Sequence, residues 1–230
     1  DRGAAGAQAG PVTLYRAAEE ALRARIAAGE WKPGAALPTE TALAAELRVS
    51  QGTLRRALAA LEEQRVIERR QGVGTFVAEA TSERALFHFF RAERLDGTRP
   101  MPTSRVLAQR RRRATAAERA ALALPAGAAV LAIERERLID GAPLIAERVA
   151  LPAALFPGLA LPMGVVLEDE LYVLYQRGFG IHVTRVEERL HAQAGTLVVE
   201  RLAFDLKGRA VEHRVSRLDG ARLRYRITLA

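Results

Sequence analysis

Apolar residues recur at helical spacing three times in the first part of the chain. They predict helices over residues 12–28, 40–47 and 51–64, because a period near 3.6 residues places an apolar stripe on one side of a helix. Thr39 and Ser50 stand before the second and third helices, where hydroxyl side chains act as N-caps. The third helix carries the clearest stripe, which consists of Leu54, Leu58 and Leu61.

Two short strand-like runs follow the third helix. They cover residues 66–70 and 75–77, and the glycine-containing stretch Gln71-Gly72-Val73-Gly74 between them predicts a hairpin turn. The order helix, helix, tight turn, helix, hairpin is that of a winged helix-turn-helix. We assign this domain to residues 12–78 and expect residues 1–11 to be a flexible leader.

Strands and helices alternate in the second part of the chain. Residues 79–100 are predicted as a connection, and residues 101–230 as an α+β domain with an antiparallel sheet. Two strands flank Asp140-Gly141, a dipeptide typical of a tight hairpin. Thr115 and Glu118 form a capping box that opens a helix. The remaining patterns predict a helix over 167–176 and strands over 130–139, 144–151, 182–191, 196–206, 209–218 and 222–229.

A weak internal repeat links two of the predicted hairpins. The stretch Leu131-Ala-Ile-Glu-Arg135, followed by Asp140-Gly141, resembles Leu197-Val-Val-Glu-Arg201, followed by Lys207-Gly208. A capped helix precedes the first copy only. The comparison predicts that the second copy lacks a corresponding helix between Gln193 and Thr196.

Composition narrows the classes of function. The chain has 230 residues, 49% of them hydrophobic, and no apolar run as long as a membrane-spanning helix requires, so no membrane partner is expected. It has no cysteine, and its four histidines lack metal-ligand spacing, so we predict no metal site. The start of the chain lacks the apolar core of a signal peptide, and we expect a cytoplasmic protein.

A net charge of +8 permits a nucleic-acid partner without requiring one. Only Lys32 and Lys207 are lysines, so nearly every basic residue is an arginine, which is typical of a compositional bias. We interpret the run Arg110–Arg113 as a solvated strand end rather than a nucleic-acid patch. Total charge therefore does not locate a DNA-binding surface.

The start of the third helix has the chemistry of a DNA-reading surface. Ser50, Gln51, Gly52 and Thr53 cluster there with free backbone N–H groups, which suit phosphates and base edges. Gln51 can form a two-point contact with adenine, and Arg55 can reach phosphate or guanine. The alternative interpretation is that Gln51 is an ordinary solvated residue of the first helical turn.

The predicted wing has a glycine-rich tip. Gly72 and Gly74 permit a tight turn whose backbone can approach a DNA groove. A plain hairpin turn with no ligand is the alternative.

Charged residues continue an apolar strand face in the second domain. Arg135 and Arg137 follow Leu131 and Ile133 at alternate positions, and Glu147 lies on the strand paired by the hairpin. Because an unpaired buried charge is very costly, these residues must face one another or a ligand. We predict a pocket for an anionic or zwitterionic small molecule, and a purely structural ion-pair network is the alternative.

Three stretches of the first domain together resemble the GntR family of bacterial transcription regulators. They are Leu37–Ala44, Val49–Leu58 and Leu61–Phe76, within a similarity that covers residues 12–78. The resemblance implies operator contacts from Thr39, Thr41, Ser50, Gln51, Gly52, Thr53 and Arg55. It also places Gly72 at the minor groove. Thr41 and Gln51 stand where the family often carries arginine, so the family's base contacts do not transfer directly.

The second domain resembles the effector-binding UTRA domain of the histidine-utilisation-repressor-like subfamily. The matching positions are Ile133–Arg137, Asp140-Gly141, Pro143, Glu147, Leu151-Pro152, Phe156-Pro157, Leu171-Tyr172 and Gly178. The resemblance implies a chorismate-lyase-like antiparallel sheet with helices and an effector held by Arg135, Arg137, Glu147 and Tyr172. Glu170 stands where relatives that bind sugar phosphates have a small hydroxyl residue, which argues against a phosphate ligand.

These observations favour a homodimeric transcription regulator that binds double-stranded operator DNA. Of the two kinds of regulator, a repressor is the one we expect. A small-molecule effector would modulate it through the second domain, without a cofactor or catalytic residues. The second hypothesis is a chorismate-lyase-type enzyme with an appended DNA-binding module. The winged helix favours the first, since a lyase has no use for it.

Overall fold

The computed structural model describes residues 13–167 and 169–228, so the predicted leader, residues 1–11, lies outside the described residues. The chain divides into two compact units, with the boundary between Glu79 and Ala80. Within the described ranges, no helix combines the length and the apolar character needed to cross a membrane.

The first unit is a winged helix-turn-helix, as predicted. Its elements are α1 (Leu14–Ala27), α2 (Glu40–Glu46), α3 (Gln51–Glu63), β1 (Ile67–Arg70) and β2 (Gly74–Val77). The predicted stripe of α3 is fully buried, together with Leu22 of α1. Each such leucine contributes about 1.5–3 kcal/mol of transfer free energy, so this contact between α1 and α3 holds the unit together.

Local side-chain chemistry sets the ends of the helices in this unit. The Thr39 hydroxyl accepts the N–H of Ala42 at 3.2 Å, and the Ser50 hydroxyl accepts the N–H of Thr53 at 3.1 Å. Both are N-caps of the predicted kind. Between α2 and α3, Arg48 has φ 54°, and this left-handed residue makes the tight turn.

The second unit contains a seven-stranded antiparallel sheet with helices. Its elements are α4 (Ser82–Phe89), β3 (Ala92–Arg94), β4 (Thr103–Arg113), α5 (Ala116–Ala121), β5 (Ala129–Ile139), β6 (Ala142–Pro152), β7 (Val166–Leu167), α6 (Leu171–Phe179), β8 (Val183–Gln193), β9 (Thr196–Asp205), β10 (Ala210–Asp219) and β11 (Leu223–Tyr225). The strand order is β7-β4-β5-β6-β10-β9-β8, and β11 pairs separately with β3. The predicted α+β class is confirmed.

Short turns fix the register of the sheet. Asp140 and Gly141 have φ 52° and 79°, and Ala194 and Gly195 have φ 47° and 78°. Two successive residues with positive φ form the turn that matches the twist of a two-residue hairpin. These turns join β5 to β6 and β8 to β9. A one-residue register shift between Arg137 and Leu138 then places Arg135 opposite Glu147.

Helix α6 packs on one face of the sheet and closes the main core. Tyr175 of α6 is fully buried and lies edge-on to Phe156, with ring centroids 4.8 Å apart. The same cluster includes Ile133 of β5 and Val149 of β6. Side chains at alternate positions of β5 and β6 therefore point toward α6. Arg135, Arg137 and Glu147 lie on this same face of the sheet.

The segment 79–100, which we predicted as a connection, forms α4 and β3 of the second unit. The backbone N–H of Ala80 donates to the side chain of Gln176 at 2.6 Å, and the Ser82 hydroxyl donates to Asp169 at 3.2 Å. Its partners are thus 96 and 87 residues away in the chain. Because no local pattern reports such distant contacts, periodicity alone does not reveal that this segment belongs to the second unit.

Two predicted elements differ from the structure by four residues or more at one end. The helix predicted over 167–176 begins at Leu171, because Leu167 pairs with Ser104 in β7 and Glu170 is the N-cap. Gly180, with φ 64°, ends it. Among the described residues of the strand predicted over 222–229, only those of β11 form a strand.

Candidate DNA-binding and effector-binding sites

The first turn of α3 presents a compact set of polar groups. The hydroxyls of Ser50 and Thr53 lie 2.9 Å apart, and Gln51 and Gly52 beside them are exposed. A Cβ at Gly52 would approach only the Ser50 hydroxyl, at 3.9 Å. No contact inside the protein therefore requires glycine at this position. Because glycine has no side chain, a partner molecule can approach the backbone of α3 closely here.

The structure brings Thr41 and Gln51 together across the turn between α2 and α3. The side-chain amide of Gln51 donates to the Thr41 hydroxyl at 3.4 Å. Thr39, the remaining predicted contact on α2, uses its hydroxyl as the N-cap of that helix. Seven of the eight predicted DNA-binding residues therefore lie on α2, α3 or the residue before each.

Arg55 has an acidic partner that sequence reasoning missed. Its Nε donates to Glu40 at 2.7 Å, while 63% of the Arg55 side chain stays exposed. A guanidinium nitrogen of Arg69 lies 3.8 Å from the same carboxylate. Glu40 therefore restrains Arg55 at the surface of α3. A contact between residues 15 apart in different helices leaves no periodic signal.

The wing tip is built as predicted from its glycines. Gly72 is exposed with φ 71°, a conformation that favours glycine, and no atom lies within 4 Å of where its Cβ would be. The backbone at this tip is therefore accessible to a large partner.

A cleft in the second unit collects the predicted effector-binding side chains. Its empty volume is about 530 Å³, including the part that opens to solvent. Side chains from α4, β5, β6, α6, β9 and β10 line it, and those with relevant chemistry are Phe89, Phe90, Arg91, Arg137, Glu147, Glu170, Tyr172, Arg201, Arg214 and Ser216. Arg135 lies next to this set, fully buried.

Glu147 is the centre of one part of this charge cluster. It accepts from Arg135 Nε at 2.6 Å and from the Ser216 hydroxyl at 2.8 Å, and Arg214 lies 3.7 Å away. Burial would raise the pKa of Glu147, but the charges of Arg135 and Arg214 lower that pKa below its ordinary value. The carboxylate therefore stays ionised inside the protein.

Arg137 forms a two-point ion pair with Glu170. Its two terminal nitrogens donate to the two carboxylate oxygens at 2.9 and 2.7 Å. The guanidinium carbon also lies 5.3 Å from the centroid of the Phe90 ring. Burial lowers the pKa of Arg137 to about 10, which leaves the side chain charged at neutral pH.

A second pair of arginines lies in the cleft and was missed in the sequence. Arg214 donates to Glu212 at 2.7 Å, and Arg201 donates to Glu188 at 2.7 Å and to the backbone carbonyl of Phe89. The internal repeat was the signal that could have found Arg201, since it aligns Arg201 with Arg135. Arg214 faces Arg201 across β9 and β10 as Glu147 faces Arg135 across β5 and β6.

Tyr172 joins the cleft to the core beneath it. Its hydroxyl donates to Glu212 at 3.1 Å, and the hydroxyl of Tyr175 donates to the other oxygen of that carboxylate at 2.7 Å. Burial and then the charge of Glu212 raise the pKa of Tyr172 to about 12. The hydroxyl is therefore a proton donor at every physiological pH.

Three buried guanidinium nitrogens in this cluster have unused N–H groups. They are Nη2 of Arg135, Nε of Arg137 and Nε of Arg214, and none of them has a hydrogen-bond partner within the described parts of the chain. Leaving such donors unpaired costs about 1–3 kcal/mol each. The cluster therefore has spare capacity to donate to a guest.

Comparison with known proteins identifies both units. The sequence profile of the bacterial regulatory proteins of the gntR family matches residues 14–77, and that of the UTRA domain matches residues 99–196. The chain is 32% identical over 219 residues to the mannosyl-D-glycerate transport/metabolism system repressor MngR of Escherichia coli, which covers 92% of this chain and 89% of the relative. This chain belongs to the GntR family.

Further comparisons support this assignment for each unit of the GntR-family chain. A histidine utilization repressor of Klebsiella aerogenes is 39% identical over 77 residues, which is 34% of this chain and 32% of that protein. The crystal structure of the ligand-binding domain of a GntR-family regulator from Bordetella bronchiseptica matches with a TM-score of 0.58 and 28% identity, over 62% of this chain and 98% of that one.

The family membership decides between the two hypotheses from the sequence. The GntR-family chain is a DNA-binding transcription regulator with a UTRA effector domain, and it is not an enzyme. The predicted family, fold class and general function are confirmed. The lyase hypothesis has no support among the relatives.

Proposed function

We propose that this regulator represses transcription as a homodimer whose operator affinity is set by a zwitterionic or carboxylate-bearing metabolite in the cleft. The observation that carries the proposal is the pair of buried, unused N–H groups on Arg137 and Arg214, two arginines that line the cleft. A carboxylate supplies acceptors for such donors, and binding it removes the cost of leaving them unpaired.

The charge balance of the cluster limits the net charge of the ligand. Four arginines pair with four glutamates, in the pairs Arg135–Glu147, Arg137–Glu170, Arg201–Glu188 and Arg214–Glu212, and a fifth arginine, Arg91, also lines the cleft. A phosphate dianion brings two negative charges, so even with Arg91 beside it one charge would stay uncompensated in a buried cluster, which is costly. A zwitterion adds none, because its carboxylate reaches the spare N–H groups while its cationic or hydroxyl groups donate to Glu147 or Glu170.

The relatives are consistent with this ligand chemistry. The MngR repressor, whose match covers 92% of this chain, is named for mannosyl-D-glycerate, a compound that carries a carboxylate. A sugar acid is therefore the first ligand class to test on this chain.

The DNA-binding half of the proposal uses the surface around the start of α3. In a homodimer, two such helices would enter successive major grooves of a short pseudo-palindrome. The contacts would come from Thr39, Thr41, Ser50, Gln51, Gly52, Thr53 and Arg55, with Gly72 at the wing. A ligand changes operator affinity only by its differential affinity for two states of the protein, and 1–3 kcal/mol of coupling gives about a 5–150-fold change.

The test uses the full chain and a panel of amino acids, sugar acids, other carboxylates and sugar phosphates. We expect a carboxylate-bearing member to raise the melting temperature and to change the affinity for an operator selected from random DNA. Arg137→Ala should abolish that response. Arg217→Ala, which removes an exposed arginine from β10, is the matched control and should respond normally. A response only to sugar phosphates, or an unchanged response in Arg137→Ala, would contradict the ligand assignment.

A further inference from the structure

Two uncharged side chains meet at the surface that the regulator presents to DNA. The side-chain amide of Gln51, the first residue of α3, donates to the hydroxyl of Thr41 in α2 at 3.4 Å. Both residues are exposed, and they lie ten positions apart in the chain. The contact therefore joins α2 directly to the first residue of α3.

The hydrogen-bonding groups that remain on Gln51 form a specific pair. A glutamine amide has two N–H groups and one carbonyl oxygen. Thr41 takes one N–H, so one N–H and the oxygen stay available. In the major groove, adenine offers N7 as an acceptor and its N6 amino group as a donor, whereas guanine offers two acceptors, N7 and O6. The free pair on Gln51 therefore matches adenine and mismatches guanine.

The surroundings of Gln51 leave room for a base edge. Gly52 follows it, and no internal contact requires glycine there. Because Gly52 has no side chain, nothing beyond Gln51 itself stands between the first turn of α3 and a base edge on that side. Arg55, farther along α3, pairs with Glu40 at 2.7 Å.

We propose that Gln51, with its amide oriented by Thr41, reads one adenine in each operator half-site. The inference rests on the proposed function, because it requires the start of α3 to enter the major groove. In this arrangement Gln51 contacts the base, and Thr41 is a positioning residue that acts through the Gln51 amide.

The experiment selects binding sites for the full chain from a random DNA library and then measures affinity for all four bases at each position of the half-site. We expect one position where adenine is preferred over guanine by about 5–150-fold, the range of a good two-point contact. Gln51→Ala should remove the preference at that position and leave the others. Gln51→Arg should change the preference there to guanine.

Two further comparisons test the role of Thr41 and the effect of added charge. Thr41→Val, which removes the hydroxyl, should reduce the discrimination at the same position, and Thr41→Ser should retain it. Gln193→Arg places the same charge change on an exposed residue of β8 in the other unit and should leave the preference for adenine intact.

The outcomes separate this inference from the proposed function. If the wild-type chain prefers guanine at the position, or if Gln51→Ala leaves every preference unchanged, the inference is wrong while operator binding stands. If the full chain selects no sequence at all from the library, the proposed operator binding itself fails.

Discussion

Arg137 and Glu170 form a two-point ion pair in the wall of the cleft. Nη1 of Arg137 donates to Oε2 of Glu170 at 2.9 Å, and Nη2 donates to Oε1 at 2.7 Å. Their side chains are 3% and 13% exposed. This two-point arrangement is the one by which an arginine receives a carboxylate ligand. Glu170 therefore occupies both terminal nitrogens of Arg137 from within the chain, and only the Nε of Arg137 is left to donate to a ligand.

Replacing Glu170 should change the class of ligand that binds. In Glu170→Ser the fork of Arg137 is free, so we expect the affinity for phosphate-bearing sugars to increase at least about tenfold, since one charge-assisted pair contributes about 1.5–3 kcal/mol. Isothermal titration of the full chain measures it. Glu187→Ser, which removes a glutamate from an exposed ion pair on β8, is the control and should bind as wild type does. If both variants bind phosphate-bearing sugars equally more tightly, the gain comes from the lost negative charge and not from the freed Arg137.

The two tyrosines on Glu212 should separate a structural role from a ligand-binding one. Tyr172 and Tyr175 both donate to this buried carboxylate, but only Tyr172 lines the cleft. We expect each change to phenylalanine to lower the free energy of unfolding by about 1.5–3 kcal/mol in urea titration, because each removes a hydrogen bond to a charged group. Only Tyr172→Phe should also alter effector affinity. Equal effects on the ligand would mean that Tyr172 acts through the core alone.

Arg55 and Arg56 form a natural matched pair on α3. Arg55→Ala should lower operator affinity by about 1–3 kcal/mol, with loss of discrimination at one position, if Arg55 contacts a base. The Arg56 guanidinium lies 4.1 Å from the centroid of the Tyr15 ring, so Arg56→Ala removes the same charge from a side chain engaged within the protein. Titration of labelled operator at one salt concentration compares them. A larger loss in Arg56→Ala would contradict the assigned orientation of α3.

The pair of Arg112 and Glu118 should make stability depend on acid pH. Hydrogen bonds from Arg112 lower the pKa of Glu118 from 4.5 to about 2. Because the folded-state pKa is lowered, the stabilisation is complete above pH 4.5 and is lost as the pH falls through about 2. Glu118→Gln should therefore cost about 1–3 kcal/mol at pH 7 and much less near pH 2.

Urea unfolding at both pH values measures this difference. Glu134→Gln is the control, because Glu134 is more exposed and lies 3.7 Å from Arg110. An exposed pair of this kind contributes at most about 1 kcal/mol. If Glu118→Gln costs the same at pH 2 as at pH 7, the ion pair does not set the pKa of Glu118.

Local features of the sequence predicted much of the first unit and the class of the second. The stripe of Leu54, Leu58 and Leu61 predicted α3, and Asp140-Gly141 predicted the hairpin of β5 and β6. Helix periodicity and turn chemistry depend on residues a few positions apart, so a single sequence contains them. The same alternation predicted that Arg135 and Glu147 face each other.

The composition of the cleft was decided only by the tertiary structure. Strands β6 and β10 lie side by side in the sheet, which places Ser216 on Glu147, 69 residues earlier in the chain. That pairing brings Arg214 into the same cluster, and α4 adds Phe89 from a segment predicted as a connection. The sequence alone determined which strands carry charge on an apolar face. The order of strands in the sheet determined which of those charges meet, because it depends on contacts between residues far apart in the chain.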